Sequence, residues 1–108
     1  MANWKIDQLE NVMDLLNYVP KQVEVYQLNA IRANTDLAVH LLSKVFQEES
    51  DFQSEQSELL HEVVGRLKEI PALLEAEKMY RVDATCRFVV PLVDQVYRCI
   101  QIEMEEAE

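Results

Sequence analysis

The residues of this chain that could bind a metal ion are two histidines with acidic neighbours. Glu58 and His61 have the Glu-x-x-His spacing that, present twice beside two further glutamates, holds two metal ions in helical bundles. A second copy is missing, because Leu37 stands where a glutamate would have to precede His40. Asp36 and His40 could meet on one helix face, but two ligands do not complete a zinc site. We therefore predict no metal and no cofactor.

Covalent catalysis has little support in the sequence. No serine stands in a Gly-x-Ser-x-Gly setting, and the single glycine cannot form a loop that cradles phosphate. Cys86 and Cys99 each neighbour an arginine, but adjacent residues on a helix point about 100° apart, so this adjacency would not lower a thiol pKa. On one helix the two thiols would lie roughly 20 Å apart, too far for a disulfide. We predict no catalytic residue, no enzyme activity, and two reduced thiols that face the core.

Regularly spaced apolar residues are the strongest structural signal. A spacing of three and four residues keeps one stripe of a helix facing a partner helix. One stripe comprises Leu28, Ile31, Thr35, Ala38, Leu42 and Val45, and another comprises Leu60, Val63, Leu67, Ile70 and Leu74. With one glycine and three prolines, turns are scarce. The sequence predicts an all-α fold, an antiparallel bundle of three long helices plus a short N-terminal helix, as a single domain over residues 1–108.

Prolines and polar clusters suggest the helix boundaries. The expected helices run from about Asn3 to Val19, from Lys21 to Glu48, from a capping box at Ser50 to Ile70, and from Ala72 to about Met104. Pro20 should end or kink the first helix, and at Pro71 and Pro91 a helix bends or a new one begins. Gly65 is either simply tolerated or allows another helix to approach closely. No internal repeat is evident, and residues 103–108 are expected to form a frayed acidic tail.

Charge and hydropathy limit the partners. The net charge is −10, from 20 acidic and 10 basic residues, and no two basic residues are adjacent. Nucleic acids and anionic membranes require clustered Lys and Arg, so we predict neither as a partner. The most apolar stretch, residues 88–93, is far shorter than the roughly 20 residues of a bilayer span, and no signal peptide is visible. We expect no membrane insertion and a cytoplasmic or nuclear location.

Two helices have more apolar residues than one core stripe requires. In the second helix these are Leu37, Ala38, Leu41, Leu42, Val45 and Phe46, and in the last Phe88, Val89, Val90, Leu92, Val93, Val96 and Tyr97. A helix with two apolar sides lies at the centre of a fold or offers one side to another chain. We therefore predict an interaction module, an adaptor or scaffold subunit of a larger complex.

Its apolar groove, with an acidic rim, would bind a helical or basic segment of a partner protein. The predicted contact residues are Leu37, Leu41, Phe52, Val90 and Tyr97. Trp4, like Phe52, is an aromatic residue near a predicted helix end and is a further candidate anchor. Two alternatives stay open: a homodimer whose spare apolar faces pair with their own copies, and a metal- or ligand-binding four-helix bundle.

Overall fold

The computed structural model describes residues 4–46 and 54–107, and every regular element in these ranges is an α-helix. The helices are α1 (Trp4–Glu24), α2 (Leu28–Phe46), α3 (Ser54–Leu67), α4 (Ile70–Glu75) and α5 (Met79–Ala107). The all-α prediction is therefore confirmed for the described part of the chain. The capping box expected at Ser50 lies outside these residues.

The helices pack side by side as two hairpins. α1 and α2 form the first hairpin, and α3, α4 and α5 form the second. The Asn34 amide donates to Gln22 at 3.0 Å in the first hairpin, and the Gln56 amide donates to Glu103 at 3.2 Å in the second, as antiparallel pairing requires. α1 and α3 each contact both α2 and α5, so the long helices enclose one continuous aliphatic core. The resulting bundle measures 47 × 21 × 19 Å.

α1 is a long helix, so the expected short N-terminal helix and its end at Pro20 are wrong, and a kink at Pro20 stays a prediction. It comprises 21 residues and continues through Pro20 to Glu24. The proline removes one backbone hydrogen bond. Core contacts on both sides compensate, because Val19 is fully buried before it and Val23 packs against the core after it. As a consequence α2 begins at Leu28, not at Lys21.

The other two prolines behave differently from each other. α3 ends at Leu67, and α4 begins at Ile70 with Pro71 in its first turn, where the missing N–H costs no hydrogen bond within the helix. A new short helix therefore begins at Pro71. α5 continues through Pro91 as one helix, and a bend there stays a prediction. α5 also includes the glutamate-rich end of the chain as far as Ala107.

The same turn closes each hairpin. Tyr26 and Glu77 adopt left-handed backbone conformations, with φ of 59° and 57°. Their N–H groups donate to the carbonyl three residues earlier, at 3.2 and 3.1 Å. The N–H groups of Gln27 and Lys78 donate to the carbonyl five residues earlier, both at 2.9 Å. These bonds define a Schellman motif, which usually places glycine at the left-handed position.

The two hairpins repeat one pattern of burial and turns, 51 residues apart in the chain. Helices end at Glu24 and Glu75, and the next helices begin at Leu28 and Met79. Each of the ten buried residues of the first hairpin has a buried counterpart 51 positions later. The pairs are Lys5 and Gln56, Leu9 and Leu60, Val12 and Val63, Leu16 and Leu67, Val19 and Ile70, Ile31 and Val82, Thr35 and Cys86, Ala38 and Val89, Leu42 and Val93, and Val45 and Val96. The expectation of no repeat is therefore wrong.

Glycine at a left-handed position should stabilise the fold. In Glu77→Gly the loss of Cβ strain outweighs the extra freedom of the unfolded chain, so we expect a gain of about 0.5–1 kcal/mol in the free energy of unfolding. Urea denaturation followed by circular dichroism measures it. Ala84→Gly, at an exposed interior position of α5, is the control and should lose up to about 1 kcal/mol. A loss of stability in Glu77→Gly would contradict this account of the turn.

Gly65 faces open space, so the alternative of a close helix approach is wrong. A Cβ added there would meet no heavy atom within 4 Å among those considered around it. Gly65→Ala should therefore raise the free energy of unfolding by about 0.5–1 kcal/mol, because alanine loses less backbone entropy in a helix. The melting temperature should rise by several degrees, roughly 4–8 °C per kcal/mol for a domain of this size. A lower melting temperature would show that the glycine is needed.

Candidate functional site

An open groove lies on the outer face of the first hairpin, between α1 and α2. Its volume is about 380 Å³. The described residues that line it are Asn11, Asp14, Leu15 and Tyr18 of α1 and Leu37 and Leu41 of α2. Leu37 is 45% exposed and Tyr18 is 59% exposed, so large apolar surfaces face solvent here. This is the site at which two of the predicted contact residues, Leu37 and Leu41, lie together.

Helical periodicity positions these side chains. On α1, Asn11, Leu15 and Tyr18 are separated by four and three residues and therefore share one side of the helix. On α2, Leu37 and Leu41 are four residues apart and share a side in the same way. The core stripe occupies the neighbouring sides of both helices. The groove thus forms where the second apolar sides of two antiparallel helices meet.

The groove has a single acidic group among its described lining residues. Asp14 is that group, and Asn11 adds an amide one turn away. Lys44, the next cation along α2, lies beyond Leu41 and does not line the groove. The chain as a whole has a net charge of −10. The electrostatics therefore favour a partner with positive charge near its apolar contacts.

The equivalent face of the second hairpin carries a contact within the chain. The counterparts of Leu37 and Leu15, 51 positions later, are Phe88 and Arg66. The Arg66 guanidinium lies 5.1 Å from the centroid of the Phe88 ring, within the range of a cation–π contact. The same guanidinium lies 3.8 Å from the carboxylate of Glu62, one turn earlier on α3. Phe88 remains 48% exposed, so this contact covers the face in part.

A second depression, between α3 and α5, is acidic. Its volume is about 280 Å³, and its described lining residues are Glu55, Glu58, Leu59, Glu62 and Gln95. Glu58 of the Glu-x-x-His sequence faces this depression, and His61 is exposed. Within residues 4–46 and 54–107, no group of three His, Cys, Asp or Glu could hold a metal ion. The absence of a metal from the protein stays a prediction.

The remaining predicted contact residues lie away from the groove. Val90 is half-buried and packs against the core from α5. The Tyr97 hydroxyl donates to a Glu10 carboxylate oxygen at 2.6 Å and accepts from the Gln101 amide at 3.1 Å, so it joins α5 to α1. Phe52 lies outside the described residues. A partner-binding role for these three residues stays a prediction.

Sequence reasoning missed the share of the groove that α1 contributes. Leu15 and Tyr18 are apolar or aromatic residues beside the core stripe of α1, the same signal that identified Leu37 and Leu41 on α2. Trp4, the other candidate anchor, is 41% exposed at the start of α1 and does not line the groove.

Neither the Cys86 thiol nor the Tyr97 hydroxyl is a nucleophile at neutral pH. Burial raises the pKa of the Cys86 thiol to about 12, and the negative charge of Asp83 adds to the shift. The thiol therefore stays protonated and unreactive. The hydrogen bond to Glu10 raises the pKa of the Tyr97 hydroxyl, because it stabilises the protonated form. Cys99 is half-buried, so of the two expected core thiols only Cys86 is fully enclosed.

Comparison with known proteins gives no independent guide to the function. No protein-family model, curated protein or solved structure matches the chain. In the part of the chain that the structure describes, no helix has both the length and the apolarity needed to cross a bilayer. The candidate function therefore rests on the geometry and chemistry of the groove.

The two cysteines should differ sharply in reactivity. With iodoacetamide at pH 8, Cys99 should react first, and Cys86 should react only when the protein unfolds, because its thiol is buried and its pKa is raised to about 12. Mass spectrometry of the alkylated peptides over time measures both rates. In urea the two rates should become similar. Fast modification of Cys86 in the folded protein would contradict the core position of this thiol.

Proposed function

We propose that the protein is a non-enzymatic interaction module, an adaptor or scaffold subunit, that binds a helical segment of a partner protein in the groove between α1 and α2. One observation carries the proposal. An open groove between α1 and α2 leaves Leu37 and Tyr18 exposed, whereas on the equivalent face of the second hairpin Arg66 lies over the Phe88 ring. Exposed apolar surface of this kind is typical of a surface that binds another chain.

The form of the groove favours a helix as the ligand. Two antiparallel helices form its walls, and its apolar lining is distributed along them. An amphipathic helix lying in this groove would place side chains spaced by three and four residues against Leu15, Leu37 and Leu41. Such a ligand would extend the bundle by one helix and bury the exposed side of α2. We retain a cytoplasmic or nuclear location, and no nucleic acid or membrane partner, as parts of this proposal.

Binding should depend on the apolar residues of α2. We expect Leu37→Glu and Leu41→Glu each to weaken binding at least about tenfold, because each places a carboxylate in an apolar contact. The ligands are helical peptides of about 18 residues, roughly five turns, selected from a display library on the wild-type protein. Fluorescence anisotropy measures their affinities, and circular dichroism verifies that each variant remains helical.

The duplication supplies a matched control. Phe88→Glu makes the same kind of change at the equivalent position of the second hairpin, and it should leave peptide binding unchanged. Equal loss of binding in Leu37→Glu and Phe88→Glu would contradict a site confined to the first hairpin. Unfolding of Leu41→Glu would show that Leu41 belongs to the core, and the test would then rest on the more exposed Leu37.

A second copy of the chain is the alternative ligand. Light scattering coupled to size exclusion, over a tenfold range of concentration, distinguishes the two cases. A monomer throughout leaves the groove free for a different protein. A dimer that Leu37→Glu dissociates would show that the groove pairs with its own copy, and the adaptor role would then require another surface.

A further inference from the structure

The second hairpin shows which group this kind of face accommodates. There the Arg66 guanidinium lies on an aromatic ring, 5.1 Å from its centroid, and 3.8 Å from a carboxylate. A guanidinium is planar and weakly hydrated, so it can lie on a ring and pair with a carboxylate at the same time. The ring belongs to Phe88 of α5, and the carboxylate belongs to Glu62 of α3. On one of its two equivalent faces the chain thus places its own arginine against a ring and a carboxylate.

The first hairpin lacks the arginine and its two partners at the equivalent positions. Leu15 occupies the position of Arg66, Leu37 and Asn11 occupy those of Phe88 and Glu62, and none of the described residues lining the groove is basic. An aromatic ring and a carboxylate are nevertheless present at other positions, in Tyr18 and Asp14, four residues apart on α1 and both on the groove. Tyr18 is 59% exposed, so its ring is accessible to a ligand. The same two kinds of group that Arg66 contacts are therefore available here, in a different arrangement, to a cation from outside.

We infer that the segment bound in the groove carries an arginine whose guanidinium lies on the Tyr18 ring and pairs with Asp14. Aliphatic side chains one turn away in the same segment contact Leu15, Leu37 and Leu41. This inference rests on the proposed function and adds the chemistry of the partner: a basic amphipathic helix, not a purely apolar one. The net charge of −10 acts in the same direction, because it attracts a basic segment and repels an acidic one.

Arginine is favoured over lysine by the kind of contact that the groove offers. A lysine ammonium is compact and strongly hydrated, and it forms a point-like contact. The guanidinium covers the ring and presents several donors to the carboxylate together. Binding through positive charge alone would be weakened by salt, whereas a contribution from ring stacking is less sensitive to screening. The inference therefore predicts a preference for arginine that survives moderate salt.

The peptides selected on the wild-type protein test this directly. We expect an arginine at one fixed position relative to the apolar residues of the selected helices. Replacing it by citrulline, a neutral group of the same shape, should weaken binding to the wild type at least about tenfold. Against Asp14→Asn or Tyr18→Leu the same replacement should cost less than about threefold, because the interacting group is missing. Phe88→Leu, in the second hairpin, is the control and should retain the full effect.

Each outcome has a separate meaning. Coupling between the peptide arginine and both Asp14 and Tyr18 supports the inference. Three results overturn it and leave the proposed function intact, provided that binding depends on Leu37. The selected peptides carry no arginine, or they bind equally well with lysine in its place. Alternatively, citrulline replacement lowers the affinity for the variants as much as for the wild type. If Leu37→Glu abolishes the binding of none of the selected peptides, both the inference and the proposed function are wrong.

Discussion

The burial of one aliphatic stripe on each long helix is the interaction on which this structure depends. The stripe positions recur in both hairpins, and almost all of their side chains are aliphatic and fully enclosed. Because an α-helix has a fixed period, the choice of the inward side also determines the outward side. Leu37 is exposed and Leu15 is half-buried for this reason, because both lie beside the stripe that faces the core. The groove forms from residues at the edge of the core, where the helices turn towards solvent.

Duplication of the hairpin explains how one backbone presents two different surfaces. The inward residues of the two copies are nearly interchangeable, since Leu42 and Val93 or Val19 and Ile70 fill similar volumes. The outward residues are free of this constraint and differ in charge and size. One hairpin consequently places Arg66 over an aromatic ring on its outer face, and the other has an apolar groove there.

Local rules and packing gave different answers at the prolines. The loss of a backbone donor at Pro20 predicts the end of a helix, but α1 continues because its buried residues on both sides are held by α2 and α5. At Pro71 one of the two expected outcomes occurs, since α4 starts at Ile70 with the proline in its first turn. Pro71 lies 51 residues after Pro20 and is also flanked by buried residues, Ile70 and Leu74, so burial beside a proline does not by itself decide whether a helix continues. The neighbouring residues alone therefore do not predict the outcome.

The sequence by itself determined that the described chain is helical, which residues form the two core stripes, and that Leu37 and Leu41 lie off the stripe of α2. These are local properties, because spacing along one helix decides which side is apolar. Only the tertiary structure decided that α1 supplies the opposite wall of the groove and that Tyr97 is bonded to Glu10, 87 residues away. It revealed the repeat as well, through matching burial and matching helix ends 51 residues apart. The spacing of residues shows which side of a helix is apolar. Which other helix packs against that side depends on contacts across the whole bundle.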